Sequence, residues 1–166
     1  MNHGEGLRLR PCAAVDAEFL YRVYVSTRQE ELAQVPWDDA AKEAFLRMQF
    51  HAQDTHYHTH YADADYQIVE QAGVPIGRLY VQRSTPEMIL MDIALLPDWR
   101  GKGLGTKMIC ALVDEADLAG KITSLHVEQF NPAMRLYTRL GFVRFKEEGI
   151  YCRMERQPTT MATADA

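Results

Sequence analysis

Met88-Ile89-Leu90-Met91-Asp92-Ile93-Ala94-Leu95-Leu96-Pro97-Asp98-Trp99-Arg100-Gly101-Lys102-Gly103-Leu104-Gly105-Thr106 is an almost unbroken apolar run that passes through a proline into a basic loop with three glycines. Residues 88–95 have the character of a central strand covered on both faces, with Asp92 as the one charge inside it. After the loop, Leu104, Met108, Leu112 and Ala116 recur every fourth residue and predict an amphipathic helix that Gly120 ends. A glycine-rich turn between a buried strand and a helix lets the backbone bend sharply and bring its N–H groups against a ligand. The free amides and positive dipole end of the following helix suit a pyrophosphate, with Arg100 and Lys102 adding charge. The dinucleotide fingerprint needs its third glycine one position later than Gly105. The P-loop needs Gly-Lys-Ser/Thr where this chain has Gly105-Thr106-Lys107.

Upstream, residues 7–10 alternate and stop at Pro11, which predicts a short strand. A helix follows from Asp16 to about Leu32, with Phe19/Val23 and Leu20/Tyr24 spaced i, i+4. A second helix begins near Asp38, with Ala41, Phe45, Met48 and Ala52 as its apolar face. Residues 66–71 and 76–82 read as an antiparallel hairpin around Ala72-Gly73-Val74-Pro75. Downstream, residues 123–129 read as a strand. Asn131-Pro132 starts a short helix whose buried face is Ala133, Leu136, Tyr137 and Leu140 and whose end is Gly141. Residues 142–146 and 150–155 form a last hairpin around Gly149. The order of elements predicts one α/β (α+β) domain, a mixed sheet of about seven strands with helices on both faces.

The 166 residues leave room for one domain, assigned to residues 1–156, with 157–166 as a small, polar, disordered tail. Eighteen basic against 23 acidic side chains give a net charge of −5, the wrong sign for affinity founded on phosphates of nucleic acid or anionic lipid. Three widely spaced cysteines, Cys12, Cys110 and Cys152, form neither a zinc pattern nor a disulfide framework. With neither a signal-peptide pattern at the N-terminus nor an apolar run of bilayer length, the expectation is a cytoplasmic protein without membrane or nucleic-acid partners.

Two segments carry a family resemblance. Arg100-Gly101-Lys102-Gly103-Leu104-Gly105 resembles the Arg/Gln-x-x-Gly-x-Gly/Ala signature of the GNAT superfamily of acyl-CoA-dependent N-acetyltransferases. Asn131-Pro132-Ala133 through Leu136-Tyr137 to Leu140-Gly141-Phe142 is similar to that family's second block. The resemblance implies a mostly antiparallel sheet whose central strands splay, freeing backbone groups near Ile93, Ala94 and Leu95 to bind pantetheine and stabilise an oxyanion. It implies that the amides of Gly101, Lys102, Gly103, Leu104, Gly105 and Thr106 hold the acetyl-CoA pyrophosphate, and that Asn131 helps hold the pantetheine. Tyr137 falls at the general-acid position, where a phenol protonates the departing thiolate.

An amine must lose a proton before it attacks a thioester. His126 and Asp92 compete for that task, and a water molecule alone is the third reading. His126 falls where some family members carry a glutamate, and Asp92 lies near the same opening. The helices after the first strand form the acceptor side in the family, so Glu30, Glu31, Gln49, Gln53 and Tyr57 are candidate amine-recognition groups. His51, His56, His58 and His60 lack a ligand pattern, and no metal is expected. The resulting expectation is a transferase moving acetyl from acetyl-CoA to a small-molecule or peptide amine by direct attack. The contrasting reading is a noncatalytic acyl-CoA-binding module. The resemblance also admits a homodimer, although no apolar stripe in the sequence marks an interface.

Overall fold

The computed structural model describes residues 6–159. In chain order the elements are β1 (Leu7–Pro11), α1 (Ala17–Ala33), α2 (Asp39–His60), β2 (Asp65–Gln71), β3 (Val74–Gln82), β4 (Met88–Leu95), α3 (Leu104–Ala119), β5 (Thr123–Glu128), α4 (Ala133–Arg139), β6 (Val143–Glu148) and β7 (Tyr151–Arg156). They build one seven-stranded sheet in the order β1-β2-β3-β4-β5-β7-β6. Every pairing is antiparallel except β4 with β5, whose crossover is α3. The expected fold class, element order and two-sided helix cover are all present.

Local chemistry sets the boundaries. Asp38 caps α2 by accepting a 2.8 Å hydrogen bond from the Ala41 amide. Asp16, at the start of α1, accepts both Arg10 guanidinium bonds at 2.8 Å and one from the Ala13 amide. The Arg10 bonds hold its carboxyl down to about 2. The hairpin between β2 and β3 turns on only Ala72 and Gly73, at φ +50° and +79°, so Val74 and Pro75 already belong to the strand.

The core lies on both sides of the sheet. Val69, Leu79, Val81 and Leu90 pack with Leu104, Met108 and Leu112 of α3, while Ile68 and Tyr80 on the other face meet Leu20, Phe50 and Tyr57. The α3 ridge read from the sequence is buried as expected. For α2 the helix is present but its inward face is not the expected one. Leu46 is buried, with Phe50, Gln53 and Tyr57 partly covered, whereas Met48 is 61% exposed. The period is the same and the phase shifts, because polar Gln53 and Tyr57 face a cleft rather than solvent. The histidines at positions 51, 56, 58 and 60 all fall on α2. His58 stacks on Tyr66 and His56 lies against His60. Among the described residues no group of three metal-binding side chains assembles, and no helix is long and apolar enough to cross a membrane.

Beyond β7, Arg156 donates to both oxygens of Asp117 at 2.7 and 3.1 Å, and Thr159 bonds the same carboxylate through its amide and hydroxyl. Residues 157–159 of the expected tail are therefore tied to α3. Residues 160–166 lie outside the described residues.

Candidate active site

The site arises where β4 leaves β5. The two strands pair only at Met88–Thr123, Ile89–Ser124 and Leu90–Leu125. One residue later the β3–β4 register slips, so Val81 opposes Leu90 and Tyr80 opposes Asp92, with Met91 as the extra residue of a bulge. The bulge turns Met91 and Asp92 together toward the face covered by α1 and α2. From Ile93 to Leu95 strand β4 keeps β3 as its neighbour but no longer β5. The backbone groups on its free side open into the gap.

Gly77 in β3 makes this geometry possible. A Cβ there would run into the Ala94 carbonyl oxygen and the Leu95 side chain, so only glycine lets β3 approach β4 along the splay.

Two cavities meet at the gap. The larger, about 1030 Å³, is walled by Ile93, Ala94, Leu95, Arg100 and the loop from Gly101 to Thr106 (Lys102 excepted), by the C-terminal part of α1, and by Asn131, Leu136 and Tyr137 of the α4 region. The other, about 580 Å³, is walled by Gln53, Tyr57, Arg78, Asp92, His126 and Glu148 among others. Ile93, Ala94, Glu31, Glu128, Asn131 and Tyr137 line both.

The loop fits an anionic diphosphate. Gly101 and Gly103 adopt φ of +72° and +78°, and no side chain caps the start of α3, so its first amides face the larger cavity. Gly105 has ordinary backbone geometry, and a Cβ there would meet nothing within 4 Å. Nothing in the protein's own packing requires glycine at that position, and the space in front of it is room for a ligand. Arg100 lines the larger cavity and is also held by the protein itself. Its Nε donates to the Leu95 carbonyl at 2.8 Å and Nη2 to Ser26 Oγ at 3.1 Å, tying the loop to β4 and α1. Lys102 lies over the Trp99 ring and lines neither cavity. Asn131 accepts from the Ala133 amide at 2.9 Å, which starts α4 beside the same cavity.

Tyr137 is buried against Phe142 and lines both cavities. Burial, and then the Asp92 charge, push it up to about 12, so it keeps its proton across the physiological range. His126 is exposed into the smaller cavity, with Nε2 3.4 Å from the Glu148 carboxylate.

Asp92 is not a free carboxylate. Arg78, 2% exposed in the middle of β3, donates Nε to Oδ1 at 3.3 Å and Nη2 to Oδ2 at 2.7 Å, and Nη2 also reaches Gln53 Oε1 at 3.0 Å. Tyr57 adds its hydroxyl at 3.3 Å to Oδ2. Burial opposes the Arg78 charge, yet Asp92, Tyr80 and Tyr57 outweigh it and hold the guanidinium above its usual range. Burial, and then Asp92, likewise drive the Tyr57 phenol well above the ordinary range.

Of the expected acceptor groups, Glu31, Gln53 and Tyr57 line the smaller cavity. Glu30 lies on the larger one only. Gln49 lines neither, because its side chain accepts from the Tyr24 hydroxyl at 3.2 Å. Arg78 is the site residue that sequence reasoning missed. The readable signal is one lone positive charge in the apolar run 76–81, next to a strand with one lone negative charge.

Comparison with known proteins agrees with this geometry. No curated protein matches the chain. Among solved structures, the PaiA N-acetyltransferase of Thermoplasma acidophilum in complex with coenzyme A aligns with a TM-score of 0.69 at 16% identity, covering 91% of this chain and 98% of that one. An acetyltransferase of Thermus thermophilus aligns at 0.65 with 21% identity, covering 93% and 99%. The ribosomal-protein-S18-alanine N-acetyltransferase of Escherichia coli aligns at 0.63 with 19% identity, covering 96% and 98%. The acetyltransferase (GNAT) family model matches residues 18–142. A glycine-rich turn before an uncapped helix, a strand splayed beside it and a family match across three quarters of the sequence converge, and the chain belongs to the GNAT acetyltransferase family.

Proposed function

We propose that this chain transfers an acetyl group from acetyl-CoA directly to an amine of a cationic small molecule or a peptide, both substrates being bound at once. The observation that carries this reading is the pair of cavities sharing one wall, to which Tyr137, Ile93 and Ala94 all belong.

Acetyl-CoA supplies the acetyl group as an activated thioester. The amides from Gly101 to Thr106 hold its diphosphate, and Asn131 with the free backbone of Ile93, Ala94 and Leu95 holds the pantetheine arm. Backbone N–H groups along that edge stabilise negative charge developing on the carbonyl oxygen. His126 takes the proton from the attacking amine, and Glu148 stabilises the imidazolium that results. Asp92, fixed by Arg78, acts as a positioning charge for a cationic amine. Tyr137 donates its proton to the leaving sulfur. Among the described residues no cysteine lines either cavity, which favours direct attack over an acyl-enzyme. The acceptor cavity carries Glu31, Asp92, Glu128 and Glu148 against Arg28 and Arg78, a balance that favours cationic acceptors. The three unpaired cysteines suit a reducing cytoplasm.

The test is release of free thiol from acetyl-CoA across a panel of amines and N-terminal peptides, run beside a coenzyme A thermal-shift titration. Amine-dependent release is expected, strongest for acceptors with a second positive charge. A thermal shift with no release from any acceptor would move the assignment to a noncatalytic acyl-CoA-binding module.

Gly105→Val tests the cradle separately. Because the space around a Cβ at this position is open, the melting temperature is expected to stay close to that of the wild type. The coenzyme A dissociation constant is expected to rise by about tenfold or more, roughly 1.4 kcal/mol. Calorimetric titration showing unaltered affinity would remove the loop from the binding site.

A further inference from the structure

The smaller cavity already holds a cation of the protein's own. Arg28 reaches into it from α1, with its guanidinium carbon 5.4 Å from the centre of the Tyr24 ring. Its Nη1 stands 3.5 Å from the Glu31 carboxylate on the same helix and 3.9 Å from that of Glu128 at the end of β5. Among the described residues, its buried Nε has no hydrogen-bond partner. We propose that Arg28 is a placeholder in a guanidinium subsite made by the Tyr24 ring, Glu31 and Glu128, and that an amine substrate carrying a guanidinium group displaces it. The subsite rests on the reading of the smaller cavity as the acceptor side.

How loosely Arg28 is held marks it as a stand-in. Arg10, Arg78, Arg83, Arg153 and Arg156 each grip a carboxylate at 2.7–2.9 Å, the length of a charge-assisted bond. Arg28 has two carboxylates beside it and closes on neither. A side chain rooted on α1 is stretched between a neighbour on its own helix and a strand on the other side of the cavity, and both contacts stay long. A guanidinium free to translate has no such tether, and its planar fork of N–H donors can engage both carboxylates at once. Displacing Arg28 costs little, because Arg28, Glu31 and Glu128 keep 27%, 63% and 43% side-chain exposure, where an ion pair contributes weakly.

The surroundings select the kind of cation. A tyrosine face with two carboxylates beside it suits a planar, delocalised group, which lies on the ring while donating in its own plane. An ammonium can use the carboxylates but has no plane to lay on the ring. Glu31 and Glu128 line both cavities, whereas Tyr24 and Arg28 line only the smaller one. The subsite therefore adjoins the shared wall from the acceptor side. A substrate anchored there by its guanidinium keeps its amine within the same cavity as His126 and Asp92.

Calorimetric titration of the full chain with n-butylguanidinium, beside n-butylammonium, tests the subsite. Butylguanidinium has no amine to acetylate, so the result is independent of the thiol-release assay. The guanidinium is expected to bind about fivefold or more tightly than the ammonium. Arg28→Met keeps an apolar stem, removes the competing cation and is expected to tighten butylguanidinium about fivefold or more. Glu31→Gln/Glu128→Gln is expected to weaken it about tenfold or more. Both variants are expected to melt close to the wild type, because the contacts they remove are long and partly exposed. Absent, unaltered or weaker binding in Arg28→Met, wild-type affinity in the double variant, or equal affinity for the two cations would each overturn the subsite. The expected pattern with no thiol release from any amine would keep the subsite and count against transfer alone.

Discussion

Tyr137→Phe is expected to lower turnover by roughly 10²–10⁴-fold, the range for loss of a positioned proton donor, with coenzyme A affinity unchanged. The substitution removes one hydroxyl from a side chain whose ring is packed against Phe142, so the fold and the cavity walls stay in place. The effect concentrates in kcat because the departing sulfur needs a proton that the ground state does not. With the phenol pushed up to about 12, it stays protonated over the whole assay range. Any rise of rate with pH should therefore come from groups other than Tyr137 and should persist in the variant. Steady-state rates with a coenzyme A titration decide it. Weakened coenzyme A binding with normal turnover would make Tyr137 a packing residue.

Arg78→Ala is expected to destabilise the protein by about 3 kcal/mol, the low end for breaking a buried ion pair. The low end applies because the Asp92 side chain keeps 16% exposure and the Tyr57 hydroxyl still bonds it. For a chain of this size the melting temperature should fall by roughly 6–12 °C. Most of that loss is the cost of stranding a carboxylate rather than the worth of the pair. Pairing Arg78→Met with Asp92→Leu should accordingly recover most of the melting temperature. Turnover should not recover with it, because the acceptor cavity has lost the charge that positions the amine. If the double variant melts as low as the single, the bulge at Met91 depends on the ion pair itself.

How legible the site was in sequence depended on whether its chemistry is local. The glycine-rich turn was readable because glycine freedom, an uncapped helix start and the spacing from Arg100 to Thr106 all lie within one short segment. The expectations at Tyr137 and Asn131 rest on a second short block, and the fold puts both residues on the cavity walls. The contacts of Arg100 and Lys102 within the protein were not, since their partners Leu95, Ser26 and Trp99 are fixed by how the loop folds back. Glu30 and Gln49 were assigned to the acceptor side by position on α1 and α2. Position on a helix does not say which cavity a side chain lines, and tertiary packing puts Glu30 on the larger cavity and ties Gln49 to Tyr24.

By itself the sequence determined the order of elements, the mixed sheet with helices on both faces, the glycine-rich turn and the family, because each rests on short-range patterning of apolar, glycine and capping residues. Tertiary structure alone decided the pairing of Arg78 with Asp92, the bulge that opens β4 from β5 and the phase of α2. Each of these is a contact or a vacancy between strands and helices distant in the chain, and register, not composition, determines which side chains meet there.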